Sequence, residues 1–301
     1  MRASRKHRTG ISGPFDPMRE LLGVWLQYPL PHHALSRVVH RLTRSTCLPG
    51  LRLACMRWFV RRFGVDMGEA AEPELAHYPS FNAFFTRALK PGARPIAAGA
   101  EALTSPADAR VSQAGRIEDG RIFQAKGRAF SACELLGGEA QRAAPFTDGD
   151  FATLYLAPRD YHRVHMPIDG TLREMVHVPG RLFSVDPPTA RTVDRLFARN
   201  ERVAFLFDTA AGPLACVMVG ALFVSSIETV WAGEVTPPMG ARIRSWSYAP
   251  GAHRFRKGDE IARFNMGSTV ILLAGKGRIA LDAALRPEAE LRLGQRIATL
   301  R

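Results

Sequence analysis

The chain has 301 residues, 46% of them hydrophobic, which is enough to bury a sizeable core in one large domain or two smaller ones. Its formal net charge of +13 at pH 7 indicates a polyanionic partner, either nucleic acid or an anionic lipid surface. The sequence contains no zinc-finger spacing, no RNP-type aromatic segment and no long lysine run, so nucleic acid is not expected as the partner. Four scattered cysteines without a CxxC pair are typical of a reducing compartment; they are Cys47, Cys55, Cys133 and Cys216.

The N-terminal part is basic and follows a helical pattern. Residues 1–13 are basic and polar, and the apolar stretch at 21–26 is too short to be a membrane-spanning helix. Residues 18–63 predict helices interrupted at 29–31 and at 49–50. In the middle helix, apolar residues recur on one face and arginines on the other; the residues are Leu35, Val38, Val39 and Leu42 against Arg37, Arg41 and Arg44.

Two interpretations of these helices remain open. Residues 51–63 mix aromatic side chains with arginines, a composition that suits the headgroup layer of an anionic bilayer. The same pattern fits a helical hairpin that packs on its own protein with a solvated basic face. A further helix is predicted at residues 80–89, with Ser80 as N-cap and Pro91 and Gly92 as terminators. We therefore place a domain boundary near residue 95.

After residue 100 the pattern changes to short β-type runs separated by Gly and Pro. The predicted strands are 121–124, 151–156, 171–178, 203–207, 214–224, 227–231, 242–248 and 269–273. Short helices are predicted at 129–136 and 189–197. The predicted fold class is α+β: a basic helical segment, 1–95, followed by a mainly antiparallel β domain, 96–301, of sandwich or barrel-like form.

Three polar clusters could carry chemistry. The turn at 105–111 presents Asp108, although a turn aspartate commonly only bonds its own backbone. Residues 155–167 concentrate titratable groups, among them His162 and His165. The third cluster is Gly267-Ser268, just before the apolar run 270–273. His162 and His165 are three apart and could share a metal, but no third ligand is evident and we predict none.

Asp, His and Ser are the parts of a relay that activates a nucleophile. A serine hydrolase stays open as an alternative, although its GxSxG motif is absent around Ser268 and at every other serine. Gly267 carries no Cβ, which leaves its carbonyl open to the Ser268 hydroxyl. Attack there would turn the amide into an ester, and β-elimination would leave a dehydroalanine that hydrolyses to a pyruvoyl group. Taken alone, Gly-Ser-Thr could equally be a simple turn that enters a strand.

Several longer motifs resemble the phosphatidylserine decarboxylase family. They are YLAPRDYHRVHMP at 155–167, GRLFSV at 180–185, LFARNERV at 196–203, IETVWAG at 227–233, KGD at 257–259 and MGSTVI at 266–271. The resemblance runs from about FGVDM at 63–67 to the C-terminus. Two positions depart from the family pattern, which usually has Leu at Met266 and Gly at Ala109. Met for Leu should cost little, whereas a Cβ at position 109 excludes most backbone geometries with positive φ.

The resemblance implies a proenzyme that cuts itself between Gly267 and Ser268. The products would be a β chain, 1–267, and an α chain, 268–301, that begins with a pyruvoyl cofactor made from Ser268. Asp108 and His165 would drive the cut. His162 would protonate the intermediate during decarboxylation, a task suited to a group that titrates near neutrality.

The implied reaction converts phosphatidylserine to phosphatidylethanolamine and CO2 through an imine with the pyruvoyl group. The implied partners are an anionic membrane surface, at the cytoplasmic face of the cell membrane, and the α and β chains of one another, with a homo-oligomer of that heterodimer possible. Two alternatives stay open. One is a pyruvoyl-dependent decarboxylase of a soluble amino acid, and the other is an uncut β scaffold that binds membranes.

Overall fold

The computed structural model describes residues 17–223, 226–236, 241–266 and 268–301. Helices come first along the chain and antiparallel sheets follow, so the predicted α+β class is confirmed. The sheets are open and do not close into a barrel. The predicted basic stretch at 1–13 lies outside the described residues.

Eight α-helices are present in the described part of the chain. They are α1 Pro17–Trp25, α2 His32–Arg44, α3 Pro49–Phe63, α4 Phe81–Phe85, α5 Ala132–Leu135, α6 Ala140–Ala143, α7 Pro187–Thr192 and α8 Leu196–Arg199. The strands are β1 Ala102–Thr104, β2 Ala109–Arg116, β3 Arg121–Ala125, β4 Arg128–Ser131, β5 Asp150–Leu156, β6 Arg163–His165, β7 Gly170–Val178, β8 Arg202–Thr209, β9 Gly212–Val219, β10 Ser226–Thr229, β11 Gly233–Thr236, β12 Arg244–Ser247, β13 Arg254–Phe255, β14 Glu260–Asn265, β15 Ser268–Ala274, β16 Ile279–Leu281, β17 Glu290–Leu291 and β18 Arg296–Leu300.

The largest sheet has nine strands, and β15 lies in its interior. The order is β12-β7-β8-β9-β15-β5-β2-β17, with β13 on the edge of β7. Every residue of β15 is buried, and the strand pairs antiparallel with both β5 and β9. Because side chains alternate across a sheet, Val270 and Leu272 join one hydrophobic core while Ile271 and Leu273 join the other. This explains why the sequence there is continuously apolar instead of alternating.

A four-stranded sheet lies beside it, in the order β11-β10-β14-β6. The chain leaves this sheet at Asn265, the end of β14, and enters the nine-stranded sheet at Ser268. It makes a second passage between the same two sheets from Leu156, the end of β5, to Arg163, the start of β6. The predicted cleavage step and the histidine loop therefore both connect the same pair of sheets.

The helix boundaries follow local signals. Pro49 begins α3 at a position where its missing N–H costs nothing, and Gly64 ends it in a left-handed conformation at φ +72. Ser80 caps α4, accepting from the Ala83 N–H at 3.1 Å, as predicted. This helix is shorter than predicted, because the chain turns after Phe85 and Leu89 forms a β-bridge with Ala70.

Two other predicted helices are only partly right. Residues 128–131 form β4, and the helix begins after Ser131, whose side chain and that of Glu134 form a capping box. The single helix predicted at 189–197 is two helices, α7 and α8, separated at Arg195, which adopts φ +49. The predicted β run at 214–224 ends as a strand at Val219.

Helices α1 and α2 contact the β domain through polar groups. Gln27 hydrogen-bonds Thr189 and the Ser184 N–H, and the His33 ring bonds the Gly180 carbonyl. The buried residues of α2 are His32, Ser36 and Thr43, whereas Leu42 is 67% exposed. The apolar face predicted for this helix therefore points outward. Within the described ranges, no helix is both long and apolar enough to cross a bilayer.

Candidate active site

Asp108 lies at the entrance to β2 with its carboxylate fully engaged. The Arg94 guanidinium donates from Nε to Oδ1 at 2.8 Å and from Nη2 to Oδ2 at 2.6 Å, a forked ion pair. The Leu293 N–H donates to Oδ1 at 2.8 Å. Arg94 also bonds Glu69 at 2.6 Å, and the two carboxylates, Asp108 foremost, raise the pKa of Arg94. Asp108 is thus a buried, paired anion.

Ala109, which follows Asp108, adopts a strand conformation. It pairs with Leu291 of β17, and its φ is not positive. The Cβ that distinguishes it from the family's usual glycine therefore requires no strained backbone here.

His165 is held by both ring nitrogens. Nδ1 lies 2.8 Å from the Gly258 carbonyl oxygen and Nε2 lies 3.0 Å from the Tyr161 hydroxyl. A carbonyl can only accept, so Nδ1 carries the proton and Nε2 is left as the acceptor, the form a general base needs. Burial lowers the pKa of His165, which keeps the ring neutral. Its backbone N–H donates to the Pro106 carbonyl at 2.8 Å, which ties it to the turn that carries Asp108.

The structure places Asp108 and His165 close together without linking them by a hydrogen bond. Among the described residues, neither ring nitrogen of His165 bonds Asp108 or Ser268. The Gly258 carbonyl fixes the tautomer that a relay aspartate would otherwise fix. The charges of Glu260 and, to a smaller extent, Asp108 favour the protonated ring of His165.

His162 is fully buried and its ring has one bonded nitrogen. Nδ1 donates to the Asp160 carbonyl at 2.8 Å, and Nε2 has no partner within the described part of the chain. The ring centroid lies 4.1 Å from that of Phe85. Burial, assisted by the charge of Arg87, lowers the pKa of His162 to about 3. This differs from the near-neutral titration expected from the sequence, because a loop histidine proves to lie in an apolar interior.

Ser268 begins β15 opposite Leu156 of β5, and its side chain is also buried. Its hydroxyl oxygen has no hydrogen-bond partner among the described residues. Met266 adopts φ +99, a conformation that costs a residue with a side chain roughly 1 to 3 kcal/mol. Gly267 lies outside the described residues. A strained residue and an uncommitted hydroxyl therefore lie on either side of the predicted cleavage step.

An aromatic cluster connects the helical segment to this site. Its buried members are Met56, Phe59, Val65, Tyr78, Phe84 and Phe85. Met266 packs against this cluster, and Phe85 contacts His162. The helices at the N-terminus thus form one wall of the interior in which the predicted site residues lie.

Arg94, which holds Asp108, was not predicted from the sequence. The nearest signal is its place within a short basic and proline-containing connection before β1, and such a pattern does not reveal an ion pair. Across the described residues, no group of three His, Cys, Asp or Glu side chains is arranged to hold a metal.

These features define an α+β protein with an interior serine and two buried histidines at the connections between two sheets. Comparisons with known proteins identify its family. A family model for phosphatidylserine decarboxylase matches residues 81–299, and a second model, named PSD, matches residues 22–64. The chain belongs to the phosphatidylserine decarboxylase family, which confirms the resemblance seen in the motifs.

Three relatives are similar over nearly the whole chain, and each is named phosphatidylserine decarboxylase proenzyme. The protein of Marinobacter nauticus is 53% identical over 94% of this chain and 99% of its own length. The protein of Photobacterium profundum is 54% identical over 94% of this chain and 98% of its own length. The protein of Shewanella sp. strain MR-7 is 54% identical over 92% of this chain and 96% of its own length.

Proposed function

We propose that this chain is a proenzyme that cuts itself between Gly267 and Ser268 and then decarboxylates phosphatidylserine to phosphatidylethanolamine. The observation that carries the proposal is the position of Ser268. Its hydroxyl is buried at the start of an interior strand, two residues after the strained Met266, and has no hydrogen-bond partner among the described residues. A buried hydroxyl without a partner is costly, so its retention at this point favours a chemical role.

In the proposed cut, the Ser268 oxygen bonds to the Gly267 carbonyl carbon as the amide C–N bond breaks. Elimination then removes the Ser268 Cα proton and breaks the Cβ–O bond of the ester, which forms the Cα=Cβ double bond and releases the Gly267 carboxylate. Addition of water and loss of ammonia convert the resulting dehydroalanine to the pyruvoyl group. The Nε2 lone pair of His165 supplies the base, once the Tyr161 hydroxyl that occupies it at 3.0 Å moves aside.

The paired Asp108 would assist this step by its charge. As His165 takes up the serine proton, it becomes a cation, and the nearby carboxylate stabilises that cation. Arg94 and the Leu293 N–H hold the Asp108 carboxylate in place while this happens.

In turnover, a pyruvoyl group at position 268 would supply an electron-accepting ketone, which is the chemistry that loss of CO2 from an α-amino acid requires. The residues around it fit that task. The Ser268 oxygen and Nε2 of His162 are both buried without a partner among the described residues, and His162 packs on Phe85 of the aromatic cluster. An anionic substrate entering beside His162 would raise its pKa from about 3, and Nε2 could then hold the proton that replaces CO2.

Intact-mass measurement tests the cut. The full chain of 33.1 kDa should be replaced by two chains that divide between residues 267 and 268, the smaller one lacking a free N-terminal amine. Ser268→Ala should remain whole, whereas Ser247→Ala, which changes an exposed serine of β12, should be cut as in the wild type. A whole wild-type chain that still releases CO2 would refute the proposal.

The substrate is tested with the mature protein. CO2 release from phosphatidylserine but not from free serine supports the proposal, whereas release from free serine alone would favour a soluble amino acid as substrate. A protein that binds anionic vesicles and releases no CO2 from either compound would favour the membrane-binding scaffold.

We further propose that the N-terminal helices dock on an anionic bilayer. Their large apolar side chains face outward, with Trp25 64%, Leu42 67% and Trp58 61% exposed. Exposed arginines lie among them at positions 37, 41, 57, 61 and 62. The buried residues of α2 are His32, Ser36 and Thr43, so the face of this helix that contacts the protein is polar, the reverse of an ordinary amphipathic surface helix.

A vesicle-binding assay tests this docking. The double substitution Leu42→Ser and Trp58→Ser should weaken partition into phosphatidylserine vesicles by roughly a hundredfold, since each side chain would bury apolar area in the bilayer. Ile243→Ser is the matched control, because it removes a 49% exposed apolar side chain outside the helices. Equal partition of both variants would refute docking through these helices.

A further inference from the structure

Arg87 is a buried arginine in the turn that follows α4. Its exposed fraction is 4%. Nη2 donates to the Arg159 carbonyl at 3.2 Å, and neither Nε nor Nη1 has a partner in the described part of the chain. The guanidinium therefore has N–H donors on Nε and Nη1 that no described residue accepts. In a protein interior, unpaired donors and unpaired charge are costly.

Other buried arginines of this protein are handled differently. Arg202, 2% exposed, donates to four backbone carbonyl oxygens, from Glu134, Leu135, Ala198 and Asn200. Arg142 forms an ion pair with Glu174 at 2.6 Å. The fold can satisfy a structural arginine with carbonyls or with a carboxylate. Arg87 departs from that pattern.

The surroundings of Arg87 place it at the site. Phe84 and Phe85, which precede it by three and two residues, belong to the aromatic cluster on which Met266 packs. Phe85 contacts the His162 ring, and the charge of Arg87 contributes to the lowered pKa of His162. Arg163 fixes the turn by donating to the Thr86 carbonyl at 2.9 Å. The guanidinium is thus close enough to the proposed proton donor for its charge to act on the ring.

Carboxylates lie in the neighbourhood, yet they do not pair with Arg87. The charges of Asp108 and Asp160 act on it, but no carboxylate of the described residues lies within ion-pairing distance of its nitrogens. Asp108 is occupied by Arg94, and Asp160 accepts from the Ala157 N–H at 2.7 Å. The described residues therefore supply no anionic partner for this guanidinium.

Resting on the proposed function, we propose that Arg87 binds the phosphodiester of the phospholipid substrate through its Nε and Nη1 donors. Phosphatidylserine brings two anionic groups, a carboxylate and a phosphodiester. An arginine paired with the carboxylate would stabilise the charge that the reaction must disperse, and would oppose the loss of CO2. The phosphodiester keeps its charge from substrate to product, so pairing it with Arg87 assists binding without that penalty.

This pairing also explains why a cation is retained beside His162. With the phosphodiester bound, the negative charge offsets the effect of Arg87 on the ring. Arg87 would therefore oppose protonation of His162 in the empty site. Once the lipid headgroup is bound, its phosphodiester would cancel this effect and His162 could be protonated.

Kinetics on the mature enzyme separate the two anionic groups. Dihexanoyl phosphatidylserine, used as monomers, is the substrate, so that vesicle docking does not enter. Dihexanoyl phosphatidylethanolamine is the inhibitor, because it has the phosphodiester and lacks the carboxylate. Arg87→Gln should raise KM and the inhibition constant together, by roughly tenfold to a hundredfold, with a smaller change in kcat.

Two further variants complete the design. Arg87→Lys, which keeps the charge and loses the planar donors, should give intermediate increases in both constants. Arg116→Gln removes an exposed arginine, whose guanidinium bonds the Asp148 carbonyl, and should match the wild type. Intact mass is measured first, and kinetics are compared among fully cut proteins; Arg87→Lys serves alone if Arg87→Gln stays whole.

Three results would overturn the inference. One is a rise in KM with an unchanged inhibition constant, which would assign Arg87 to the carboxylate. A second is wild-type constants in cut Arg87→Gln. The third is failure of both variants to be cut, which would assign Arg87 to maturation. A wild-type protein that is uncut or inactive on phosphatidylserine would instead refute the proposed function itself.

Discussion

The two histidines of one loop lie in opposite kinds of surroundings. Around His165, the polar groups satisfy one another, and we call Arg94, Asp108 and His165 the partnered set. Arg87, His162 and Ser268 each have a buried polar atom without a partner among the described residues, and we call them the open set. A group that meets a substrate must keep donors or acceptors uncommitted, whereas a group that only positions another can be fully bonded. The contrast therefore separates His165, assigned to maturation, from His162, assigned to turnover, whereas Ser268 serves both as the nucleophile of the proposed cut and as the source of the pyruvoyl group.

Replacing either histidine with alanine gives the largest expected effect. His165→Ala should leave the chain whole, since the base for the Ser268 proton is lost. His162→Ala should be cut yet lose turnover by roughly a hundredfold or more, in line with the loss of a general acid. Intact mass and CO2 release are the measurements, with exposed His77→Ala as control. A His162→Ala protein that is cut and fully active would show that His162 has no separate role in turnover.

Breaking the partnered set should cost stability. Arg94→Met leaves Asp108 buried with only the Leu293 N–H, so the free energy of unfolding should fall by on the order of 3 kcal/mol. Adding Asp108→Asn to this variant should recover part of the loss, because the unpaired charge is removed. Denaturant unfolding of the two variants measures the difference. Equal stability of wild type and Arg94→Met would show that the ion pair contributes nothing net.

A pH series probes Asp160, whose backbone carbonyl holds His162. Burial raises the pKa of the Asp160 carboxyl to about 6, above its ordinary 3.8. A raised carboxyl pKa stabilises the fold below about pH 4, and that contribution is lost as the pH rises to about 6. Asp160→Asn should therefore be more stable than wild type at pH 7.5, by up to roughly 2 to 3 kcal/mol, and the gap should close toward pH 4.

Thermal unfolding at several pH values measures this gap. The asparagine oxygen can still accept from the Ala157 N–H, so the loop geometry should persist. A gap that widens toward acid would contradict the assignment.

The smallest effect is expected at Met266. Met266→Leu restores the side chain usual in the family and conserves volume in the aromatic cluster, so the change in stability should stay below about 1.5 kcal/mol. The time course of cutting, followed by mass, should match that of the wild type. A variant that stays whole would show that Met266 itself, and not only its backbone strain, is needed for the cut.

Local signals in the sequence were sufficient where neighbouring residues decide the outcome. Ser80 predicted a helix start, the apolar run 270–273 predicted a buried strand, and the family motifs located the histidine loop. Residues that depend on distant partners were not predictable in the same way. The α2 pattern alone left open whether its apolar face packs on the protein or faces a bilayer. In the structure Leu42 points outward, because the buried residues of this helix are polar and contact residues far along the chain.

The missing partners of the open set could not be predicted from the sequence either. No spacing in the sequence distinguishes Arg87 from the chain's other arginines. Its distinguishing feature is that Nε and Nη1 are buried without a partner among the described residues. The pKa of His162 likewise depends on burial beneath Phe85, a contact between segments that are distant in sequence. Motifs located the chemistry, and tertiary packing decided which groups are left uncommitted.

Because β15 lies inside a sheet, the proposed cut would change the molecularity of folding. The proposed cut would make β15 the first strand of a separate chain that also carries β16, β17 and β18. These strands pair with β1, β2, β5 and β9 of the other chain, in two different sheets. The precursor can fold as a single molecule, but the mature protein, once unfolded, could re-form only by collision of two chains. Maturation would thus turn a first-order folding reaction into a second-order one, and the native state would persist by slow unfolding instead of by ready refolding.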